Sequence, residues 1–168
     1  LGTTAFALLI VFQPELRRAL LSLGDHRLFG RLRRKPRGAI DVLARTVQTL
    51  SRERRGALFA VERANALNHI ASTGTRLDAE ATPDLLAGIF WPGAPLHDGA
   101  VVIVGPRIRA ACAYLPLTTD PNLSRTYGTR HRAAIGVTEE SDAVAIVVSE
   151  QRGCVSFCEA GKIEEGLT

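Results

Sequence analysis

Two short runs carry residue types that could do chemistry: Leu96-His97-Asp98-Gly99-Ala100 and, further on, Gly128-Thr129-Arg130-His131-Arg132. Asp98 is a carboxylate able to hold a divalent cation or take a proton, and His97 beside it could share or orient that cation. Gly99 would let a ligand approach the backbone closely, just ahead of the apolar stretch Ala100 to Val104. In the second run, Arg130 and Arg132 offer planar guanidinium forks suited to phosphate oxygens. Neighbouring residues do not share a helix face, so a common ligand needs Arg130, His131 and Arg132 at a helix entrance. Gly128 and Thr129 supply that entrance, where outward N–H groups favour anions. A carboxylate placed to hold metal, paired with donors for a polyphosphate, points to metal-assisted chemistry on a nucleoside triphosphate.

Each feature also has a plainer reading. Asp-Gly is a common turn dipeptide, a single His is more often a hydrogen-bonded imidazole than a ligand, and Arg-His-Arg could be a solvated basic helix face. Ser149-Glu150 adds a hydroxyl and a carboxylate where a strand ends, a usual place for a site and also for an ordinary turn. Tyr114-Leu115-Pro116 closes another strand with a ring against which a base could rest, although a single Tyr is more often core. There is no Gly-x-x-x-x-Gly-Lys-Ser/Thr loop, no Gly-x-Gly-x-x-Gly and no Gly-x-Ser-x-Gly elbow. The residues alone therefore reach a metal-dependent nucleotide site without naming its reaction.

The elements that must position these groups follow from periodicity. Ile40, Leu43, Val47 and Leu50 recur at helical spacing and predict an amphipathic helix that ends in Arg52 to Arg55. Gly56 to Val61 reads as a short buried strand. Thr82-Pro83-Asp84 opens a helix carrying Leu85, Leu86, Ile89 and Phe90, with Thr as cap and Pro in the first position. Ala100 to Val104 and Ile108 to Leu115 read as strands joined at Gly105-Pro106-Arg107. A helix over Arg130 to Ala134 closes at Gly136, Ala143 to Val148 is the most strand-like run, and Gln151-Arg152-Gly153 turns into a final strand, Cys154 to Phe157. Mingled helices and hairpins predict an α/β chain, with a mixed sheet flanked by helices rather than a doubly wound one.

With 168 residues, 46% of them hydrophobic and 23% charged, the chain can bury one core, and 5% aromatic content means that core is mostly Ala, Val, Leu and Ile. The net charge of +4 permits an anionic partner without requiring one. Much of the excess is local, in Arg31, Arg33, Arg34, Lys35 and Arg37. Cys112, Cys154 and Cys158 lack the paired spacing of a zinc site and read as reduced thiols in a cytoplasmic setting. Ala5 to Phe12 is an apolar run too short to cross a bilayer, which takes about 20 residues. It is either a core segment or the end of a membrane helix, and the downstream basic cluster favours the second.

The order and spacing of these motifs resemble the diadenylate cyclase domain over about Ile40 to Gly161. The resemblance rests on Gly56-Ala57-Leu58 with Val61-Glu62-Arg63, Pro95-Leu96-His97-Asp98-Gly99-Ala100, Leu115-Pro116-Leu117, Gly128 to Ala134, and Ser149-Glu150. Trp91 and Gly93 depart from the family's pattern and bear on the loop before Pro95. Phe12-Gln13-Pro14-Glu15-Leu16-Arg17-Arg18 is similar to the segment that joins membrane helices to the domain in the membrane-anchored subfamily.

The resemblance implies condensation of two ATP into cyclic di-AMP with release of two pyrophosphates, using Mg²⁺ or Mn²⁺. It implies Asp98, Gly99 and Ala100 as the catalytic motif, with Asp98 and His97 toward the metal. It implies ATP binding by Tyr114, Leu115, Gly128, Thr129, Arg130, His131, Arg132, Ser149 and Glu150, with Tyr114 and Leu115 by the adenine and Thr129, Arg130, His131, Arg132 and Ser149 on the phosphates. Two sites must then face each other in a homodimer. Residues 1–37 are expected to hold the end of a transmembrane helix, a juxtamembrane helix and the basic linker, with 38–168 the catalytic domain facing the cytoplasm from the cell membrane. Regulatory protein partners fit this picture and nucleic acid is not expected. The competing classes are a non-catalytic basic module that binds nucleotide or nucleic acid, and a metal-dependent phosphohydrolase.

Overall fold

A computed structural model describes residues 37–121, 123 and 126–167. The apolar run at Ala5 to Phe12, the juxtamembrane helix expected within residues 1–37 and the basic linker before Arg37 lie outside the described residues.

The Leu43, Val47 and Leu50 spacing forms α1 (Arg37–Arg52), with all three side chains buried. The chain continues through β1 (Ala57–Val61), the single turn α2 (Asn68–Ala71), β2 (Thr75–Glu80), α3 (Pro83–Ile89), β3 (Ala100–Val104) and β4 (Arg107–Ala113). The remaining elements are α4 (Thr129–Glu140), β5 (Val144–Val148), β6 (Val155–Glu159) and β7 (Lys162–Leu167). α3 starts as its sequence dictates: the Leu85 N–H donates to Thr82 Oγ1 at 3.3 Å, and Pro83 takes the first turn, where a missing N–H costs nothing.

Seven strands make one sheet in the order β2-β4-β3-β1-β5-β6-β7. β1 and β3 run parallel, and every other neighbouring pair is antiparallel. The mixed sheet expected from sequence is thus the one formed.

Alternation along each central strand sends side chains to two cores. Leu58, Ala60, Val102, Ala145 and Val147 pack with Ala133, Ala134, Ile135 and Val137 of α4. Ala57, Phe59, Val101, Ile103 and Val148 pack with Leu43, Val47 and Leu50 of α1 and with Leu86 and Ile89 of α3. Each fully buried Leu, Ile, Val or Phe stabilises the fold by about 1.5–3 kcal/mol. Phe59 and Phe90 meet edge to face at 5.0 Å. Cys158 belongs to the first core, where burial pushes its thiol up to about 12, so it behaves as a small apolar residue.

Several boundaries differ from the sequence reading. α4 runs to Glu140 and passes straight through Gly136. That glycine is a contact and not a stop, because a Cβ there would strike the Pro116 carbonyl. β4 ends at Ala113, leaving Tyr114 and Leu115 beyond it, and Arg107 already pairs with Val104. The strand expected at Cys154 to Phe157 is β6, one residue later at its start and two at its end, and it is not the last. Ala160 and Gly161, both with positive φ, turn it into β7. Neither β7, β2 nor α2 was expected from sequence.

Candidate active site

Strand order alone brings the predicted residues to one end of the sheet. Ala113 at the end of β4 pairs with Ala100 at the start of β3. Ala57 at the start of β1 pairs with Val148 at the end of β5, which pairs with Val155 at the start of β6. Tyr114, Asp98, Gly56, Ser149 and Cys154 therefore follow one another along the same edge of the fold. Adjacent strands lie about 4.8 Å apart, so β4 to β5 spans roughly 14 Å.

Gly99 has φ +98°, and a Cβ on it would lie 3.0 Å from the Ala113 carbonyl oxygen and 3.0 Å from the Cys112 carbonyl carbon. The sequence suggested that a ligand makes this close approach, but the approach is made by β4 itself, bulged where Cys112 has φ +55°. Asp98 is left exposed at the head of β3 with no partner among the described residues. Turns build the loop before it: Ala94 N–H donates to the Trp91 carbonyl and His97 N–H to the Ala94 carbonyl. His97 Nδ1 lies 2.5 Å from that same Ala94 oxygen, leaving Nε2 as its other nitrogen. Trp91, one of the two departures, is 57% exposed with the Arg55 guanidinium 4.0 Å over its ring.

At β5 the structure opens a cleft of about 530 Å³, lined on one side by residues 126–131 and on the other by 148–152. Gly128 caps α4 without a side-chain hydrogen bond, so the first N–H groups of a 12-residue helix are available to a ligand. Arg130 Nη1 donates to Glu150 Oε2 at 3.1 Å, while Arg130 Nε is buried with no partner among the described residues. Gly56 lies directly under this guanidinium, which explains why glycine precedes β1. Ser149 is buried, and its Oγ accepts the Arg152 N–H at 3.2 Å.

His131 is 6% exposed and stacks on Tyr127, ring centroids 5.4 Å apart. Burial holds its pKa below the ordinary histidine value, and Arg152 and Arg130 add to that effect against the opposing pull of Glu165. It therefore lines the cleft as a neutral imidazole, with Nε2 unpartnered among the described residues, rather than as a third cation.

Of the residues selected from sequence, Gly128, Thr129, Arg130, His131, Ser149 and Glu150 line this one cleft. Arg132 does not line it: it follows Arg130 by two positions in regular helix and turns away, its carbonyl accepting the Thr118 N–H. Tyr114 is 69% exposed rather than core, and its N–H is held by Thr73 Oγ1 at 2.9 Å. Leu115 packs partly against the α4-side core. Tyr127 and Arg152 also line the cleft, though sequence marked neither. A Tyr four residues before a predicted site His was the signal for the first, while the second read only as part of a turn.

Residues 44–163 match the family described as DisA bacterial checkpoint controller nucleotide-binding. The chain is 43% identical over 161 residues to a diadenylate cyclase of Listeria monocytogenes, covering 94% of this chain and 59% of that protein. It is 41% identical over 166 residues to the cyclic di-AMP synthase CdaA of Bacillus subtilis, covering 96% and 61% respectively. It thus spans about three fifths of the length of these curated relatives. Among solved structures it is similar to a double mutant of DacA from Staphylococcus aureus, with TM-score 0.76 and 40% identity over 78% of this chain and 87% of that one. With a family match over residues 44–163 and relatives 43% and 41% identical over 94% and 96% of its length, this chain belongs to the DisA nucleotide-binding family, the diadenylate cyclase domain.

Proposed function

We propose that this chain is the catalytic part of a diadenylate cyclase, joining two ATP into cyclic di-AMP with loss of two pyrophosphates. The observation that carries the reading is the shared sheet end: a carboxylate unpartnered among the described residues, Asp98, two strands away from a cleft formed by a helix N-terminus and Arg130. Cation and dipole favour a polyphosphate there, and the carboxylate sits where the sugar of such a ligand can lie.

In this reading, Tyr114 and Leu115 take the adenine at the β4 end. The triphosphate runs toward α4, where the N–H groups of Thr129 and Arg130, the Arg130 guanidinium and Ser149 hold its oxygens. Glu150 orients Arg130, while Arg132, turned away from the cleft, takes no part in holding these phosphates. Asp98 accepts the proton of a ribose 3′-hydroxyl. The 3′-oxygen bonds to the α-phosphorus of the other ATP, and the bond from that phosphorus to the pyrophosphate oxygen breaks. Repetition with the roles exchanged closes the ring. Two such sites facing each other across a two-fold dimer satisfy this geometry.

A divalent ion fits the donors present. Asp98 and His97 Nε2 offer two ligands, and no group of three or more His, Cys, Asp or Glu that could hold a metal exists among the described residues. Asp98 would hold Mg²⁺ or Mn²⁺ together with the phosphates of the nucleotide, since such ions are usually bound through one or two carboxylates plus substrate phosphates. When bound, the ion would lower the hydroxyl pKa and offset charge on the leaving pyrophosphate.

The apolar run at Ala5 to Phe12 and the basic cluster at Arg31 to Arg37 support anchoring at the cell membrane, with residues 1–37 membrane-proximal and 38–168 catalytic. Incubation with ATP and Mn²⁺, with products identified by mass, tests the activity. Cyclic di-AMP and pyrophosphate are expected, released phosphate would mark a phosphohydrolase, and unchanged ATP would mark a binding module.

A further inference from the structure

Arg152 lines the same cleft, yet neither the motifs nor the proposed chemistry gives it a task. Its backbone is fixed from two sides. The Arg152 N–H donates to Ser149 Oγ, and Gly153 N–H to the Ser149 carbonyl at 2.8 Å. Ser51 of α1 donates to the Gly153 carbonyl at 2.5 Å, and Gly153, with φ +70°, packs against the Ser51 carbonyl so closely that a Cβ would lie 2.8 Å from it. The side chain is fixed separately from β7, where Arg152 Nη2 donates to Glu165 Oε1 at 2.7 Å and Nη1 approaches Oε2 at 3.4 Å. Those contacts occupy two N–H groups of the five on a guanidinium, and the rest remain available to a ligand.

We infer that Arg152 is a further phosphate-binding residue of this cleft, held in place by Glu165, and that it grips the terminal phosphates, those that depart as pyrophosphate. The assignment rests on the cyclase reading above and extends it to a residue outside the two motifs. Position along the sheet end decides which phosphates it meets. Tyr114 follows β4, Asp98 precedes β3, Ser149 follows β5, and Arg152 lies in the turn beyond, toward β6. A nucleotide with its base at Tyr114 and its first phosphates at α4 reaches Arg152 last. The two cleft guanidinium groups are prepared alike, Arg130 by Glu150 at 3.1 Å and Arg152 by Glu165 at 2.7 Å. Each carboxylate holds one edge of its fork and leaves the plane defined before phosphate arrives, which reduces the ordering cost of binding.

The test is calorimetric titration of the 3′-deoxyadenosine mono-, di- and triphosphates, with Mg²⁺, into wild type, Arg152→Ala, Arg152→Lys and Glu165→Gln. These ligands lack the attacking hydroxyl, so binding is read without turnover. Arg152→Ala should weaken the triphosphate about tenfold or more, as for loss of a charge-assisted hydrogen bond, and leave the monophosphate unchanged. Arg152→Lys should fall between, and Glu165→Gln should lose part of the same preference for triphosphate. Equal losses for all three ligands, or none, would return Arg152–Glu165 to a surface ion pair. Tighter triphosphate binding in Glu165→Gln would overturn the positioning role of Glu165. Wild type run in parallel with ATP separates the two claims. Binding without cyclic product sinks the cyclase reading alone, and absence of any binding sinks both.

Discussion

Gly56 and Arg130 touch in a way that only glycine permits: a Cβ at position 56 would run into the Arg130 guanidinium and come within 3.1 Å of the Glu150 Cβ. The residue before β1 thus sets where the main cation of the cleft can lie. Gly56 does not have positive φ, so Ala fits its backbone and the strand should form normally. Gly56→Ala is expected to shift Arg130 and lower ATP affinity about tenfold, comparable to losing one charge-assisted hydrogen bond. Its melting temperature should stay within a few degrees of wild type, since a flexible side chain gives way. Wild-type affinity in this variant would mean that the placement of Arg130 does not matter.

Asp98→Asn keeps the shape at the head of β3 and removes the charge. Because Asp98 is exposed and unpartnered among the described residues, nothing structural depends on that charge. Stability and ATP binding should survive, while turnover falls at least about a hundredfold, or about 3 kcal/mol on the barrier. Equal losses in binding and turnover would move Asp98 from proton or metal handling to simple substrate holding.

Gly136→Ala should act in the opposite way, on stability first. Its Cβ would strike the backbone carbonyl of Pro116 and crowd the Thr118 nitrogen at 2.7 Å, and neither is a side-chain end that can yield. Overpacking of this kind costs typically 1–3 kcal/mol. Chemical denaturation should show a lowered midpoint with an unchanged slope. A neutral or stabilising effect, as for Gly→Ala in an unobstructed helix, would place Pro116 further from α4.

That glycine also marks what the sequence could and could not convey. Central strands were legible because burial on both faces writes apolar runs such as Val101 to Ile103 and Ala57 to Ala60. The two strands that escaped, β2 and β7, are the two edges of the sheet. An edge strand pairs on one side only and carries the charges that discourage further pairing, here Arg76, Asp78 and Glu80 in β2 and Lys162, Glu164 and Glu165 in β7. Periodicity has little to register in such segments. Asp98, Arg130 and Ser149 were legible as types at a spacing, but their convergence depends on strand order, which no local pattern contains. Arg152 and Glu165 stayed hidden because one lay in a turn and the other on an unread edge.

The buried His131 makes a pH signature. Burial lowers its pKa in the folded chain, so the folded state binds fewer protons there than the unfolded state. Its contribution is complete above the unfolded value of about 6.5 and is lost as pH falls toward the folded pKa. Denaturation midpoints should therefore decline from about pH 7.5 to about pH 5, with at most about 1.4 kcal/mol lost per pH unit from this one group. His131→Gln should be less stable at neutral pH, losing the stack on Tyr127, and flatter across that range. An equally steep decline in His131→Gln would assign the slope to other groups.

The last prediction concerns association. Each chain carries one Asp98 and one Arg-His-Arg run, and the cleft at α4 holds the phosphates of a single nucleotide in the proposed reading. Ring closure needs two 3′-hydroxyl attacks on two α-phosphorus atoms, so one chain cannot present both nucleotides in equivalent positions. A two-fold contact does so with identical surfaces. Specific activity should then rise with enzyme concentration until the dimer saturates. Inactive Asp98→Asn chains mixed with wild type should depress activity beyond dilution, because every mixed pair lacks one of the two required carboxylates. Wild type in a twofold excess of the variant would retain activity only in its rare wild-type pairs. Sedimentation under turnover conditions completes the argument: a chain that stays monomeric while its specific activity is independent of concentration would eliminate the face-to-face arrangement.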